Sequence, residues 1–135
     1  MGGVKDFDGR LGPLFFMNYK QLVGKFGETL AKNYLIRHGY KIIDANIKLS
    51  YQEIDIVAQK AEQTIFVAVK TRISQVYGPA EDALVSCKLQ RFKRGVEIYV
   101  ENHHLNIDNI RGDFITVDIE REKKIAKLKH FKDII

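Results

Sequence analysis

Two acids and a lysine interrupt the two most strand-like stretches of this sequence. Glu53 and Asp55 alternate with apolar residues in E-I-D-I-V-A-Q, and Lys70 ends the apolar run T-I-F-V-A-V-K. An ammonium group is costly to bury unless an anion receives it. The K-A-E-Q between the two stretches is interpreted as a hairpin turn, although it lacks the Asn-Gly or Asp-Gly signature. Such a turn would bring Asp55 opposite the late sixties. Asp55 and Lys70 are therefore expected to be neighbours.

A carboxylate beside a lysine on adjacent central strands is the arrangement of metal-dependent phosphodiesterases. Carboxylate oxygens bind hard cations such as Mg²⁺, and the metal activates water and neutralises phosphate charge. The lysine orients the water or stabilises the developing charge. Each residue also has a simpler interpretation, in which the acids lie on a solvated face and Lys70 reaches water at a strand end. For the two acids alone, both interpretations are equally good.

The alternation around the two acids predicts a strand with one acidic face and one apolar face. With a period of two residues, Glu53 and Asp55 share one face, while Ile54 and Ile56 share the other and need a core. Glu28 lies three and seven residues before apolar positions of the first predicted helix, on or beside its sheet-facing stripe. Taken alone, Glu28 is better explained as a boundary residue that pairs with a nearby lysine.

A basic helix face is the remaining candidate. Residues 83–96 contain four cations and no acid: Lys88, Arg91, Lys93 and Arg94. A solvated helical face is the commoner meaning of such a run, but a neighbouring metal-type acid pair favours phosphate binding.

The elements that must position these residues follow the order α-β-β-β-α-β-β. Helical periodicity predicts helices over 18–38, capped by Asn18, and from Gly78-Pro79 to about 103. The predicted strands cover 40–46, 53–59, 64–72, 113–119 and 125–131, the last two paired as a hairpin. This is an α/β fold with a mixed central sheet of about five strands flanked by helices.

The whole chain is expected to be one domain over 18–135, preceded by an irregular leader or extension over 1–17. Its 22 Lys+Arg and 17 Asp+Glu give a net charge of +5, which permits a nucleic-acid partner without requiring one. The single cysteine excludes an intrachain disulfide, and no apolar run approaches the length of a membrane span. A cytoplasmic location and no membrane partner are expected.

Several motifs together resemble a known family. They are G-K-F-G-E, A-x-x-Y-L-x-x-x-G-Y, Q-E-I-D-I-V-A, I-F-V-x-V-K-T-R and R-G-D-F-I-T-V-D-I. The chain resembles the YraN family of small restriction-endonuclease-like proteins and, more distantly, archaeal Holliday-junction resolvases. The resemblance covers about residues 20 to 120 and implies the PD-(D/E)xK nuclease core. It implies Asp55 as a metal-binding acid, Lys70 as the catalytic lysine, and Glu28 and Glu53 as accompanying acids.

One position departs from the family pattern. The usual run is V-E-V-K, whereas this chain has V-A-V-K, so the second metal-binding acid is replaced by Ala68. Three explanations stay open: a deliberately inactivated variant, a naturally degenerate member that binds without cutting, or a site in which Glu53 or Glu28 supplies the lost oxygen.

The resemblance implies a Mg²⁺- or Mn²⁺-dependent DNA endonuclease whose metal binding and activity are weakened by Ala68. Its substrate would be DNA, branched or single-stranded rather than regular duplex, and a homodimer would suit two-strand cutting. The alternative is a non-catalytic nucleic-acid-binding or scaffold module that retains the nuclease fold.

Overall fold

A single mixed sheet organises the part of the chain that the structure describes. This structure, a computed structural model, covers residues 19–73 and 86–135. Its elements are α1 (Tyr19–Arg37), β1 (Lys41–Leu49), β2 (Gln52–Lys60), β3 (Gln63–Ile73), α2 (Ser86–Asn102), β4 (Ile110–Glu120) and β5 (Ile125–Phe131). The predicted order α-β-β-β-α-β-β is confirmed.

The five strands lie side by side in chain order, β1-β2-β3-β4-β5. All neighbouring strands are antiparallel except β3 and β4, which are parallel. A parallel pair needs a long crossover, and this connection contains α2. The mixed sheet of the predicted fold class is thereby confirmed.

The predicted boundaries agree with the structure to within three residues at most ends. The fifth strand has the predicted bounds, and β1 continues past Asn46 to Leu49 although Asn46 has φ +52°. Asparagine tolerates this left-handed conformation better than most residues, so the strand passes through it. The predicted leader over 1–17, the Asn18 cap and the Gly78-Pro79 helix start lie outside the described residues.

The two helices cover opposite faces of the sheet. Helix α1 buries Val23, Ala31 and Leu35 in one core cluster, which also receives Ile115 and Val117 of β4. A second cluster forms around α2 on the other face. Its buried members are Ile54, Val57, Phe66, Phe92, Val96 and Tyr99.

The prediction that Ile54 and Ile56 share a face is wrong. Ile54 packs in the cluster around α2, whereas Ile56 packs in the cluster around α1. Regular alternation therefore breaks at Asp55, which lies opposite the left-handed Asn46 of β1 and just beyond the last β2–β3 pair, Ile56 with Val67. The irregularity lies at Asp55, so the backbone departs from ideal strand geometry at the proposed site.

Helix α1 sits unusually close to β3. A Cβ atom added at Gly27 would overlap the side chain of Thr71, so only glycine permits this approach. The next residue, Glu28, is thereby held beside the sheet.

Among the described helices, none is long and apolar enough to cross a membrane.

Candidate functional site

The carboxylate of Asp55 is held by the backbone of the neighbouring strand. The backbone N–H of Val69 donates a hydrogen bond of 2.8 Å to Asp55 Oδ2. This bond lies just beyond the last β2–β3 pair, Ile56 with Val67. The side chain of Asp55 therefore occupies the point where the two strands separate, and one of its oxygens is fixed in place.

Burial and neighbouring charge make Asp55 an unusually weak acid. The combined surroundings raise its pKa to about 7. Burial is the largest cause and Glu28 and Glu53 add to the rise, whereas the hydrogen bond from Val69 and the charge of Lys70 oppose it. All four predicted charged residues are therefore close enough to influence one another.

Glu28 approaches the acids from the α1 side of the sheet. Burial raises its pKa, Lys32 and Lys25 lower it, and Glu53 raises it. The side chain is half-buried beside the apolar stripe, as its spacing predicted. Glu28 does not line the cleft that contains the other three residues.

That cleft has a volume of about 400 Å³. Glu53, Asp55, Ala68 and Lys70 all line it. The expected hairpin between β2 and β3 is present, with a two-residue turn between Lys60 and Gln63. The cleft wall next to Asp55 thus carries alanine at position 68, where a glutamate would add a carboxylate.

Only part of the basic helix face reaches this cleft. Arg91 lines the cleft, whereas Lys93 is exposed and Arg94 forms an exposed 3.6 Å ion pair with Glu97. The backbone of Lys88 lies in the first turn of α2, and its side chain is outside the described residues.

Two aromatic side chains of the cleft escaped the sequence reasoning. Tyr51 is 93% exposed and lies at the β1–β2 turn, next to the strand that carries the acids. Phe114 of β4 lies on the opposite side of Ala68 from β2 and packs against Phe131 at a ring separation of 6.1 Å. A lone tyrosine in the turn sequence L-S-Y-Q carries no periodic signal, so only the structure connects it with the cleft.

A second charged cluster, also missed, surrounds Asp113 on β4. Asp113 is fully buried and receives two 2.9 Å hydrogen bonds from the guanidinium of Arg111. His130 Nε2 lies 2.7 Å from the same carboxylate, and His130 Nδ1 lies 3.0 Å from the hydroxyl of Tyr34. This network ties α1, β4 and β5 together. It lies apart from the cleft, because none of its members lines it.

Two acidic side chains of the cleft, Glu53 and Asp55, carry oxygens of the kind that bind divalent cations. Within 19–73 and 86–135, no three His, Cys, Asp or Glu side chains gather closely enough to hold a metal ion. Asp55 and Glu53 supply hard oxygen donors, but Ala68 supplies none.

The raised pKa of Asp55 predicts an unusual dependence of stability on pH. The folded protein keeps the Asp55 proton up to about pH 7, whereas the unfolded chain releases it near 3.8. Stability therefore falls as pH rises between these values, by about 4 kcal/mol at most, at 1.36 kcal/mol per pKa unit. Asp55→Asn should stabilise the protein at pH 8 and have little effect at pH 4, measured by urea unfolding with a chelator present.

Glu62→Gln is the matched control for this prediction, because Glu62 is an exposed acid in the β2–β3 turn. An equal effect of Asp55→Asn at pH 4 and pH 8 would contradict the assigned pKa.

The fold is an α/β domain with a restriction-endonuclease-like core. It has a five-stranded sheet with flanking helices, and the acids near the start of β2 meet the lysine near the end of β3 in one cleft. The chain belongs to the family described as "Uncharacterised protein family UPF0102", whose sequence profile matches residues 27–117. This is the YraN family that the motifs predicted, so that prediction is confirmed.

Relatives from several bacteria match most of the chain. A UPF0102 protein of Flavobacterium psychrophilum is 39% identical over 82% of this chain and 91% of its own length. One from Caldicellulosiruptor bescii is 36% identical over 87% of this chain and 98% of its own. One from Shewanella sediminis is 42% identical over 70% of this chain and 80% of its own.

Proposed function

We propose that this protein binds nucleic acid in the cleft lined by Asp55, Ala68 and Lys70, and that Ala68 has removed or weakened a metal-dependent nuclease activity. The observation that carries the proposal is that Asp55, Ala68 and Lys70 line one cleft, where the start of β2 lies beside the end of β3. The carboxylate of Asp55 is largely buried there. A structural ion pair would need only Asp55 and Lys70. The accumulation of Glu28 and Glu53 around them costs stability and is better explained by a ligand that compensates for it.

The ligand that fits best is a phosphodiester backbone. Arg91 on one wall and Lys70 on another offer cations to phosphate, and the chain as a whole is basic. Unpaired segments of DNA, single-stranded or at a branch, suit the cleft better than regular duplex. Tyr51 exposes its ring at the cleft, where an unstacked base can pack on it.

A second candidate function is hydrolysis by the chain as it stands. It requires Glu53 or Glu28 to replace the carboxylate missing at position 68. Their effect on the pKa of Asp55 favours this candidate, since it means that both acids lie near it. Mg²⁺ or Mn²⁺ would then bind to Asp55 and one of these glutamates, and chelation would abolish cutting.

Binding is tested by fluorescence anisotropy with labelled single-stranded, duplex and four-way-junction DNA at several salt concentrations. We expect the unmodified protein to bind, with preference for single-stranded or junction DNA. Lys88→Glu combined with Arg91→Glu should weaken binding to all sequences alike. It should also lower the salt slope by about 0.7–0.9 for each phosphate that the variant no longer neutralises.

The control variant combines Arg37→Glu with Lys41→Glu. Both residues are exposed, and Lys41 pairs with Gln59, at the other end of β2 from Asp55. The charge change is the same, so equal weakening in both double variants would mean that only net charge matters. No binding by the unmodified protein to any of these DNA probes would overturn the proposed function.

A further inference from the structure

One polar atom of the cleft has no hydrogen-bond partner within the described part of the chain. Gln52 is the first residue of β2 and lines the cleft. Its amide oxygen Oε1 is buried and bonds to no described residue, although the side chain as a whole is only partly buried. A buried acceptor without a partner lowers stability, so its presence in a cleft calls for an explanation.

The side chain of Gln52 leaves the sheet on the face that α2 covers. A Cβ atom added at Gly95 of α2 would lie 3.3 Å from the Cβ atom of Gln52. Apolar side chains line the cleft on this same face. Those that are partly exposed are Ala68, Leu89 and Ile134. The cleft therefore combines, on one face, an amide with an apolar wall that a ligand can contact.

Ile134 is fixed in this wall by β4. Its backbone N–H donates a 2.7 Å hydrogen bond to the carbonyl of Gly112, and the N–H of Asp133 donates a 3.0 Å bond to Asp113 Oδ1. The side chain of Ile134 packs against the core cluster around α2. The wall is therefore formed before a ligand arrives, and binding does not have to order it.

The composition of the cleft matches that of a nucleotide. Arg91 of α2 lines the cleft together with the apolar wall and the amide of Gln52. A nucleotide likewise joins an anionic phosphate to a base whose faces pack on other side chains and whose edge carries hydrogen-bonding groups. The phosphate suits Arg91, the faces of the base suit the wall, and its edge suits the amide.

We propose that Gln52, Ala68, Leu89 and Ile134, the amide subsite, hold one unpaired nucleobase of the bound strand, and that Gln52 Oε1 accepts a hydrogen bond from an exocyclic amino group of that base. Rotation about the last torsion of the glutamine side chain, which is broad, turns the oxygen to the open side of the cleft. Of the four DNA bases only thymine lacks such an amino group. The inference rests on the proposed function and adds a base preference to it.

Two other interactions have different consequences. A water molecule bonded to Gln52 Oε1 would satisfy the amide equally well, but it would give no preference among bases. Stacking on the exposed ring of Tyr51 is open to every base, because every base has a π-face. A preference against thymine that depends on Gln52 is therefore specific to the amide subsite.

The test compares labelled single-stranded oligonucleotides of about fifteen cytosines and about fifteen thymines in anisotropy titrations. We expect the unmodified protein to bind the cytosine strand about fivefold more tightly, the effect of one typical hydrogen bond. Gln52→Leu, which has nearly the same size and no acceptor, should bind both strands alike without a lower midpoint of urea unfolding. Gln59→Leu is the matched control, because Gln59 is exposed at the other end of β2 and should leave the preference unchanged.

The outcomes separate the two proposals. If the unmodified protein binds both strands equally well or prefers thymine, or if folded Gln52→Leu keeps the preference for cytosine, the amide subsite is wrong while the proposed function stands. Should Gln52→Leu fail to fold, Ile134→Trp, which fills the subsite, takes its place, and a preference that survives it would equally overturn the subsite. If no DNA binds to the unmodified protein at all, the proposed function fails and the subsite fails with it.

Discussion

Ala68→Glu is expected to give or restore metal-dependent cleavage of DNA. Position 68 lies in the cleft beside Asp55, and the cleft volume of about 400 Å³ leaves room for the longer side chain. Glutamate adds a hard oxygen ligand for a cation shared with Asp55, and a counter-charge for Lys70. Loss of a single charge-stabilising group typically costs on the order of 10²–10³-fold in rate, so a gain of at least this size is expected.

The measurement is cleavage of junction, flap and single-stranded DNA with Mg²⁺ or Mn²⁺, accompanied by calorimetric titration of the metal. Ala68→Gln is the matched control, because it has nearly the same size and lacks the charge. An ordinary enzymatic rate in the unmodified protein would show that activity does not need a carboxylate at position 68. If Ala68→Glu neither binds metal nor cuts, a module that only binds nucleic acid becomes the better account.

Asp113→Asn is expected to destabilise the fold by about 3–5 kcal/mol, the usual effect of breaking a buried ion pair. The side chain of Arg111 is only 18% exposed and would lose its counter-charge, and His130 would lose the carboxylate 2.7 Å from its Nε2. Asp108→Asn is the control, since Asp108 is exposed in the short helical turn before β4. Urea unfolding at pH 7 measures both variants, and equal midpoints would contradict a stabilising role for the network.

The pH dependence of this effect has a definite sign. Burial raises the pKa of Asp113, but hydrogen bonds from His130, Arg111 and the backbone of Asp133 outweigh it and hold the pKa below its ordinary value. The stabilisation is therefore fully present above about pH 4 and is lost as pH falls through the folded-state pKa. The difference between Asp113→Asn and the unmodified protein should shrink in acid, whereas the effect of Asp55→Asn should grow above pH 4.

Much of the fold follows from local sequence patterns. The apolar period of α1 and the alternation of Ile115, Val117 and Ile119 are strong signals, and these residues are buried where the patterns predict. The K-A-E-Q turn fixes the β2–β3 register, which in turn brings Asp55 to β3. For these elements, local periodicity and tertiary packing favour the same structure.

The site itself departs from those patterns in ways that sequence periodicity does not contain. The break between Ile54 and Ile56 lies opposite the left-handed Asn46 of another strand and beside the hydrogen bond from Val69 to Asp55. Both are tertiary features. The Asp113 network joins residues far apart in sequence, since His130 contacts both Tyr34 and Asp113.

The most direct test of the central claim is an NMR titration of the isotope-labelled protein with a short single-stranded oligonucleotide. The backbone amide of Val69 is the reporter, because its N–H bonds to Asp55 and it lines the cleft. We predict that the amides of Val69 and Lys70 are among those that shift most and that the shifts saturate with the binding isotherm. Saturable binding that leaves these two amides unchanged, with shifts confined to other surfaces, would contradict a nucleic-acid site in this cleft.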